Sequence, residues 1–313
     1  MRGSAGLVRN VNRYRGVAMQ GLGEFVQMLT SGVAIGCIYA LVALGFVLIY
    51  KASEIVNFAQ GELMMLGAFL CFTFVSVLGM PFFVGLGLAT ACMALVGALL
   101  DRVVLRPMVG QPVFAIVIIT IGIGFVIRSV VIVLPGWGTE TYAIATPYSR
   151  GVSLIGGVAI ANEQLAIIVA TLVLVVGLYL FFRRTTLGIA MQATSQNQLA
   201  AYHVGIPVKS ILSLIWAISA AVAALAGVLL APVTFVHVNM GFIGLKAFPA
   251  AVLGGFGSIP GAVVGGLIVG IVEALAGFYL PEGFKDVAAY ILLLCVLALR
   301  PQGIFGQAVA KKV

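Results

Sequence analysis

Residues 53–69 read SEIVNFAQGELMMLGAF, and a long apolar run lies on either side of them. Glu54, Asn57, Gln60 and Glu62 fall within nine positions, with Gly61 between the last two. Ser53 and Asn57 are residue types that cap helix starts, because their side-chain oxygens accept from the free N–H groups of a first turn. Gln60 and Glu62 then occupy the first turn of the next helix, where a carboxylate meets the positive end of the helix dipole. The stretch therefore reads as a helix that stops and starts again. Two settings stay open for it. One is a capped start at a water-exposed membrane edge. The other is a polar lining for a solute path at membrane depth, which is tolerated only where the backbone is buried in protein or faces a wet cavity.

Composition decides that a membrane is involved. Of 313 residues, 62% are hydrophobic and 8% charged, whereas a soluble domain carries about a quarter charged residues. Such a chain cannot cover a globule with polar surface. Its apolar segments, at about 25–50, 62–79, 82–100, 113–134, 163–182, 210–232, 243–280 and 284–299, meet or approach the ~20 residues that span hydrocarbon. Strand alternation is absent, so the spans are helices. The net charge of +8 is carried by loops and tails, as an orientation signal is, and implies no nucleic acid. Arg102, Arg106, Arg183, Arg184, Lys209, Arg300, Lys311 and Lys312 mark the cytosolic side. The loop 135–162 and the short 281–286 stretch face the other side. Arg2, Arg9, Arg13 and Arg15 give the N-terminal tail a cytosolic character, so both termini are expected in the cytosol. That parity requires 25–50 to be a helix plus a half-helix, with breaks at Gly32, Gly36 and Gly45.

A second interruption lies at LGGFGSIPG, 253–261, where four glycines and a proline stop a helix. Residues 243–256 dip in and 262–280 return. One interrupted segment in each half points to an inverted repeat with a binding region near the midplane. The fold expected is all-α: a polytopic transmembrane helical bundle of about eight spans, in two inverted halves that each carry a broken helix. Small-xxx-small spacings at Gly261/Gly265 and Gly266/Gly270 suit tight helix packing. A gate or path wall formed by Gly254, Gly255, Gly257 and Ser258 is the functional alternative. Lys246, at the edge of an apolar run, reads as a snorkelling cation or a lure for anionic solute. Glu273 lies well inside GLIVGIVEALAGFYL, and serves either a helix–helix bond or the path.

The segment 183–209 is too polar to span. It holds a short helix between Gly188 and Gly205, with a small-residue face of Ala190, Ala193, Ala200 and Ala201 edged by Gln196, Asn197 and Gln198. Such a face suits docking into a groove on another protein; the plainer reading is a solvated connector. Cys37, Cys71, Cys92 and Cys295 lie far apart in apolar runs and read as small hydrophobes. His203 and His237 are isolated. No metal, catalytic or cofactor constellation is expected, and no phosphate-binding G-x-x-x-x-G-K-[ST] loop is present.

NFAQGELMMLGAF, RRTTLGIAMQATSQNQLAAYHVGI, AGVLLAPV and KAFPAAVLGGFGSIPGAVVGGLIVGIVEA together resemble the permeases of branched-chain amino-acid ABC transporters, more closely the smaller of the two permease subunits. The resemblance covers residues 24–306 and leaves 1–23 as a cytosolic extension and 307–313 as a cytosolic tail. It implies a bacterial inner-membrane importer made with a second permease subunit, two cytosolic ATPase subunits and a periplasmic substrate-binding protein. ATP chemistry would lie in the other chains, so this one is no enzyme. The resemblance makes Gly188 to Gly205 the coupling helix in the ATPase groove. Asn57, Gln60, Gly61 and Glu62, with 254–258, would line the solute path. Relatives of the family also move urea, short amides and aromatic acids. The rival from another class is a stand-alone secondary transporter or channel using Glu62 and Glu273 as ion sites.

Overall fold

The computed structural model describes residues 4–108, 111–148, 151–155, 158–281 and 283–306, with backbone only for 4–22, Ile155 and Val158. The tail 307–313, with Lys311 and Lys312, lies outside the described residues. The elements are helices α1 (Ser4–Ser53), α2 (Gln60–Phe72), α3 (Phe82–Leu100) and α4 (Val113–Val133), strands β1 (Val152–Ile155) and β2 (Val158–Ala161), then helices α5 (Asn162–Arg184), α6 (Thr186–Gln196), α7 (Gln198–His203), α8 (Val208–Thr234), α9 (Gly241–Gly254), α10 (Ile259–Tyr279) and α11 (Phe284–Leu299). Seven of these helices are long and apolar enough to cross a membrane; Val238–Gly254 is a shorter apolar helix. The fold is the expected polytopic helical bundle. A β1–β2 antiparallel hairpin lies outside it, in the connection that leads into α5.

The segment 25–50 is not a helix plus a half-helix. It belongs to one continuous helix, α1, which forms the centre of the bundle with 89% of its most apolar window buried; for α5 that share is 17%. The glycines expected to break α1 are its contact points. A methyl on Gly32 would sit 2.8 Å from Ala274 Cβ, and one on Gly36 2.9 Å from Leu267 Cα. Gly45 faces the Gln60 side chain and Ser219. In α10, Gly266 answers with space for Ala40, since a methyl there would lie 2.5 Å from Ala40 Cα. A glycine inside a helix costs up to ~1 kcal/mol against alanine. Here that cost is offset because two backbones can approach along a whole seam, where dispersion rather than hydrophobic exclusion holds helices together in lipid.

This continuity changes the expected topology. Gln164 Nε2 near the start of α5 donates to Ser31 Oγ at 2.8 Å, and Gln198 Nε2 in α7 donates to the Ala52 carbonyl at 2.7 Å. The two ends of α1 thus lie at opposite ends of the bundle. Glu24 shares a cavity with Phe278 and Lys285, whereas Phe305 shares one with Lys51 and Arg183. Glu24 and Phe305 therefore lie at opposite ends of the bundle, against the expectation of both termini on one face. The end carrying 183–209 gathers the basic residues: Arg102, Arg106 and Lys209 line one cavity there, and Arg106 Nη2 donates to the Lys209 carbonyl at 3.0 Å and Ser213 Oγ at 2.7 Å.

Candidate functional site

Two short helices begin inside the bundle and run to opposite ends. After α1, the chain turns at Glu54, which has a left-handed φ of 57°, and α2 starts at Gln60. After α8, the chain turns at Phe235, with φ 62° and ψ 165°, and α9 starts at Gly241. Side chains other than glycine avoid these conformations at a cost of order 1–3 kcal/mol, so both turns are held by their surroundings. The Phe235 turn is pinned by the pair of hydrogen bonds between Tyr142 and Val236, each 2.8 Å. The first turns of α2 and α9 then abut: a methyl on Gly61 would sit 3.0 Å from Gly244 Cα. The C-terminal half of α2 runs to the 135–148 loop, where Trp137 Nε1 donates to Thr73 Oγ1 at 2.7 Å, and α9 runs to the end carrying 183–209. The starts of two helices, with their positive dipole ends, converge at one point.

Asn57 and Gln60 hold this junction. Both are buried. Asn57 Nδ2 donates to Gln60 Oε1 at 3.2 Å, and Asn57 Oδ1 accepts from the Ala59 N–H at 3.1 Å. Gln60 Nε2 donates to the Ser219 carbonyl at 3.3 Å, and Ser219 Oγ donates to the Gly45 carbonyl at 3.0 Å. The Phe58 N–H donates to Thr120 Oγ1 at 3.2 Å. The break is thereby tied to α1, α4 and α8 at positions well inside each helix, so it lies at depth and not at a membrane edge. Asn57 satisfies the break from within rather than capping α2, whose N-cap residue is Ala59.

Glu62 is paired. Arg128 Nη2 in α4 donates to Glu62 Oε1 at 2.6 Å, and the guanidinium carbon lies 4.2 Å from the centroid of the Phe242 ring. Glu62 Cγ packs on Gly124, about halfway along α4, and its carboxylate fills the space beside Gly241, where a methyl would come within 2.5 Å of the Glu62 carboxyl carbon. Arg128 was not singled out from the sequence. Its signal was present in FVIRSVV, 125–131: a lone cation in an apolar run costs ~2.5–3.5 kcal/mol at mid-helix unless a partner answers it.

Gly254, Gly255, Gly257 and Ser258 do not join this site. They lie at the far end of α9, about 20 Å along the helix from Gly241 at 1.5 Å per residue. Gly255 takes φ 95°, open to glycine, and packs against Gly306, where a methyl would meet its N at 2.8 Å. Ser258 Oγ caps α10 by accepting from the Gly261 N–H at 3.1 Å. Gly257 and Ser258 line a surface cavity of about 460 Å³ with Lys51, Arg183 and Phe305. The discontinuity that meets 54–62 is therefore 235–240, not 253–261.

Glu273 makes helix–helix bonds. It accepts from the Tyr39 hydroxyl and from Lys246 Nζ at 3.1 Å; Lys246 also donates to Asp286 at 2.5 Å. Lys246 is thus not alone: it links α9, α10 and α11.

The 183–209 segment forms two helices, not one. Asn197 ends α6 and caps α7, its Oδ1 accepting from the Ala200 N–H at 2.9 Å. The expected small-residue face points largely inward. Gly188 is buried against Phe181 and Phe182, Ala201 is buried, and Ala190 and Ala193 are half-buried. Only Ala200 and Gly205 of that set are exposed, and Gly205 makes the left-handed turn after α7 at φ 86°. The exposed large apolar residues of the segment are Leu187, Ile189, Leu199, Tyr202 and Val204. Leu199 and Tyr202 line an open cavity of about 1090 Å³ with Arg102, Arg106 and Lys209. Among the described residues no group of His, Cys, Asp and Glu could hold a metal ion.

A multi-pass bundle in which interrupted helices meet at mid-depth over an ion pair has the architecture of a solute-passing membrane subunit. Its sequence agrees. A family model described as the permease component of branched-chain amino acid transport systems matches residues 28–297. The chain is 34% identical over 302 residues to the high-affinity branched-chain amino acid transport system permease protein BraD of Pseudomonas aeruginosa, covering 93% of this chain and 98% of that one. It is 34% identical over 305 residues to the permease protein LivH of Escherichia coli K12, covering 92% and 98%. A probable branched-chain amino acid transport permease of Methanocaldococcus jannaschii is 29% identical over 303 residues. The chain belongs to the family of branched-chain amino acid transport permeases.

Proposed function

We propose that this chain, through residues 24–306, is a membrane-spanning subunit of an ATP-driven importer of branched-chain amino acids in the bacterial inner membrane. Family membership over nearly the whole chain is the observation that carries the proposal, since relatives matched end to end bear that transport name. The basic end, with 183–209, faces the cytosol by the positive-inside rule. The Glu24 end of α1 then faces the periplasm, and the 135–161 connection meets a soluble receptor there. A second permease completes the path, and a pair of ATPase subunits docks on the outward residues of α7. Leu199, Tyr202 and Val204, with Leu187 and Ile189 of α6, are large exposed apolar groups set among polar residues, which is the composition of a docking patch. The solute passes near Asn57, Gln60, Gly61 and Glu62. The 254–258 turn and its neighbours transmit motion from the cytosolic end rather than line the midpoint.

Reconstitution tests this. Proteoliposomes holding this chain with a partner permease, the ATPase pair and the receptor take up leucine only while ATP is hydrolysed, and those holding this chain alone take up none. Sustained flux through the chain alone would replace the importer by a secondary transporter.

A further inference from the structure

The Glu62–Arg128 pair differs from the ion cluster at Glu273. Around Glu273 the charges are fully answered: one carboxylate receives a tyrosine hydroxyl and a lysine. Glu62 and Arg128 share a single hydrogen bond. Glu62 Oε2 and Arg128 Nε are buried and have no hydrogen-bond partner among the described residues. Arginine and carboxylate can make two parallel bonds when the purpose is a tight clamp, and here one acceptor and one donor are left over at mid-depth. The two side chains are also not sealed in: they keep 14% and 17% of their surface. Phe242, stacked on the guanidinium, is half-exposed, and Phe125, about one turn before Arg128, is 66% exposed. Glu62 packs on glycines, with its Cγ against Gly124 and its carboxylate beside Gly241.

We propose that the Glu62–Arg128 pair is the recognition element for the charged backbone of the transported amino acid. Arg128 takes the α-carboxylate, helped by the converging first turns of α2 and α9. Glu62 takes the α-ammonium group through the oxygen that now lacks a donor. The apolar side chain lies against Phe242 and Phe125. The exchange conserves charge: a zwitterion brings one anion and one cation, so the pair opens without leaving a bare ion in a low-dielectric setting. When the amino acid departs, the pair closes on itself. Discrimination follows, because a solute lacking either charge would strand a buried ion. The inference rests on the importer reading above.

The test uses the whole complex in proteoliposomes, with ATP-dependent leucine uptake and co-purification of the subunits as readouts. Glu62→Gln/Arg128→Gln keeps a neutral hydrogen-bonding pair between α2 and α4. The expected result is an intact complex with uptake reduced at least about tenfold. Uptake near the wild-type rate would overturn the proposal, since a merely structural tie tolerates a matched neutral pair. Glu62→Arg/Arg128→Glu keeps an ion pair but reverses the ends offered to the zwitterion; it is expected to lose uptake as well, and normal uptake would again overturn the proposal. Failure of both variants to assemble would make the pair a fold tie, with the same consequence. Absence of uptake by the wild-type complex would instead refute the importer reading.

Discussion

The seam between α1 and α10 makes a quantitative prediction. A methyl added at Gly36 would lie 2.9 Å from Leu267 Cα and 3.0 Å from the Gly266 carbonyl oxygen. Non-bonded carbons rest at about 3.5–4.0 Å, so the helices must part by ~0.6–1 Å. Neither obstacle can turn aside, because both belong to the α10 backbone. Overpacking of this kind costs ~1–3 kcal/mol, against which alanine returns up to ~1 kcal/mol of helix propensity. Gly36→Ala should therefore destabilise by ~1–2 kcal/mol, a factor of about 5–30 in the ratio of folded to unfolded protein. Gly177 in α5 supplies the control: it is exposed and nothing lies within 4 Å of the methyl position, so Gly177→Ala should be neutral or slightly stabilising. Unfolding of both variants in mixed micelles by SDS titration reads the difference. A Gly36→Ala protein that unfolds at or beyond the wild-type midpoint would refute the claim that these glycines are contact points.

Other substitutions probe other joints. Lys246→Met leaves Glu273 and Asp286 without their cation, and should cost about 3 kcal/mol, the lower end for breaking a buried pair; the same titration measures it. Tyr39→Phe removes one donor to a buried carboxylate and should cost ~1.5–3 kcal/mol, non-additively with Lys246→Met because both act on Glu273. For topology, Glu24→Cys and Val204→Cys, each made with Cys92 and Cys295 changed to serine, should react with a membrane-impermeant thiol reagent from opposite sides of sealed vesicles. Labelling from one side would restore an even number of crossings between those residues.

Much of the bundle was legible in the sequence because lipid imposes length and apolarity. Each expected apolar segment became a helix, or, for 243–280, a helix pair with its turn at 255–258. The break before Gln60 was legible too, since polar residues in an apolar chain need a physical reason. The glycines of α1 misled because a glycine reads alike as a break and as a contact until its partner is known: Gly32 and Gly36 face an α10 more than 230 residues away. The same ambiguity hid the role of Lys246, whose partners come from two other helices. Phe235 hid the second re-entry, because no glycine or proline marks that left-handed turn. In 183–209, alanines suggested the docking face, but helical phase turned all but Ala200 at least partly inward and left Leu187, Ile189, Leu199, Tyr202 and Val204 outside.

Force from ATP hydrolysis is expected to enter through α7. Leu199→Asp/Tyr202→Asp removes two exposed apolar groups, each worth ~1.5–3 kcal/mol if buried by a partner, without touching the buried side of the loop. Leucine uptake should be measured in proteoliposomes holding the full complex, beside SDS titration of the variant chain. A folded chain with uptake lowered more than about tenfold is the predicted result; a folded chain that still imports leucine at the wild-type rate would contradict it.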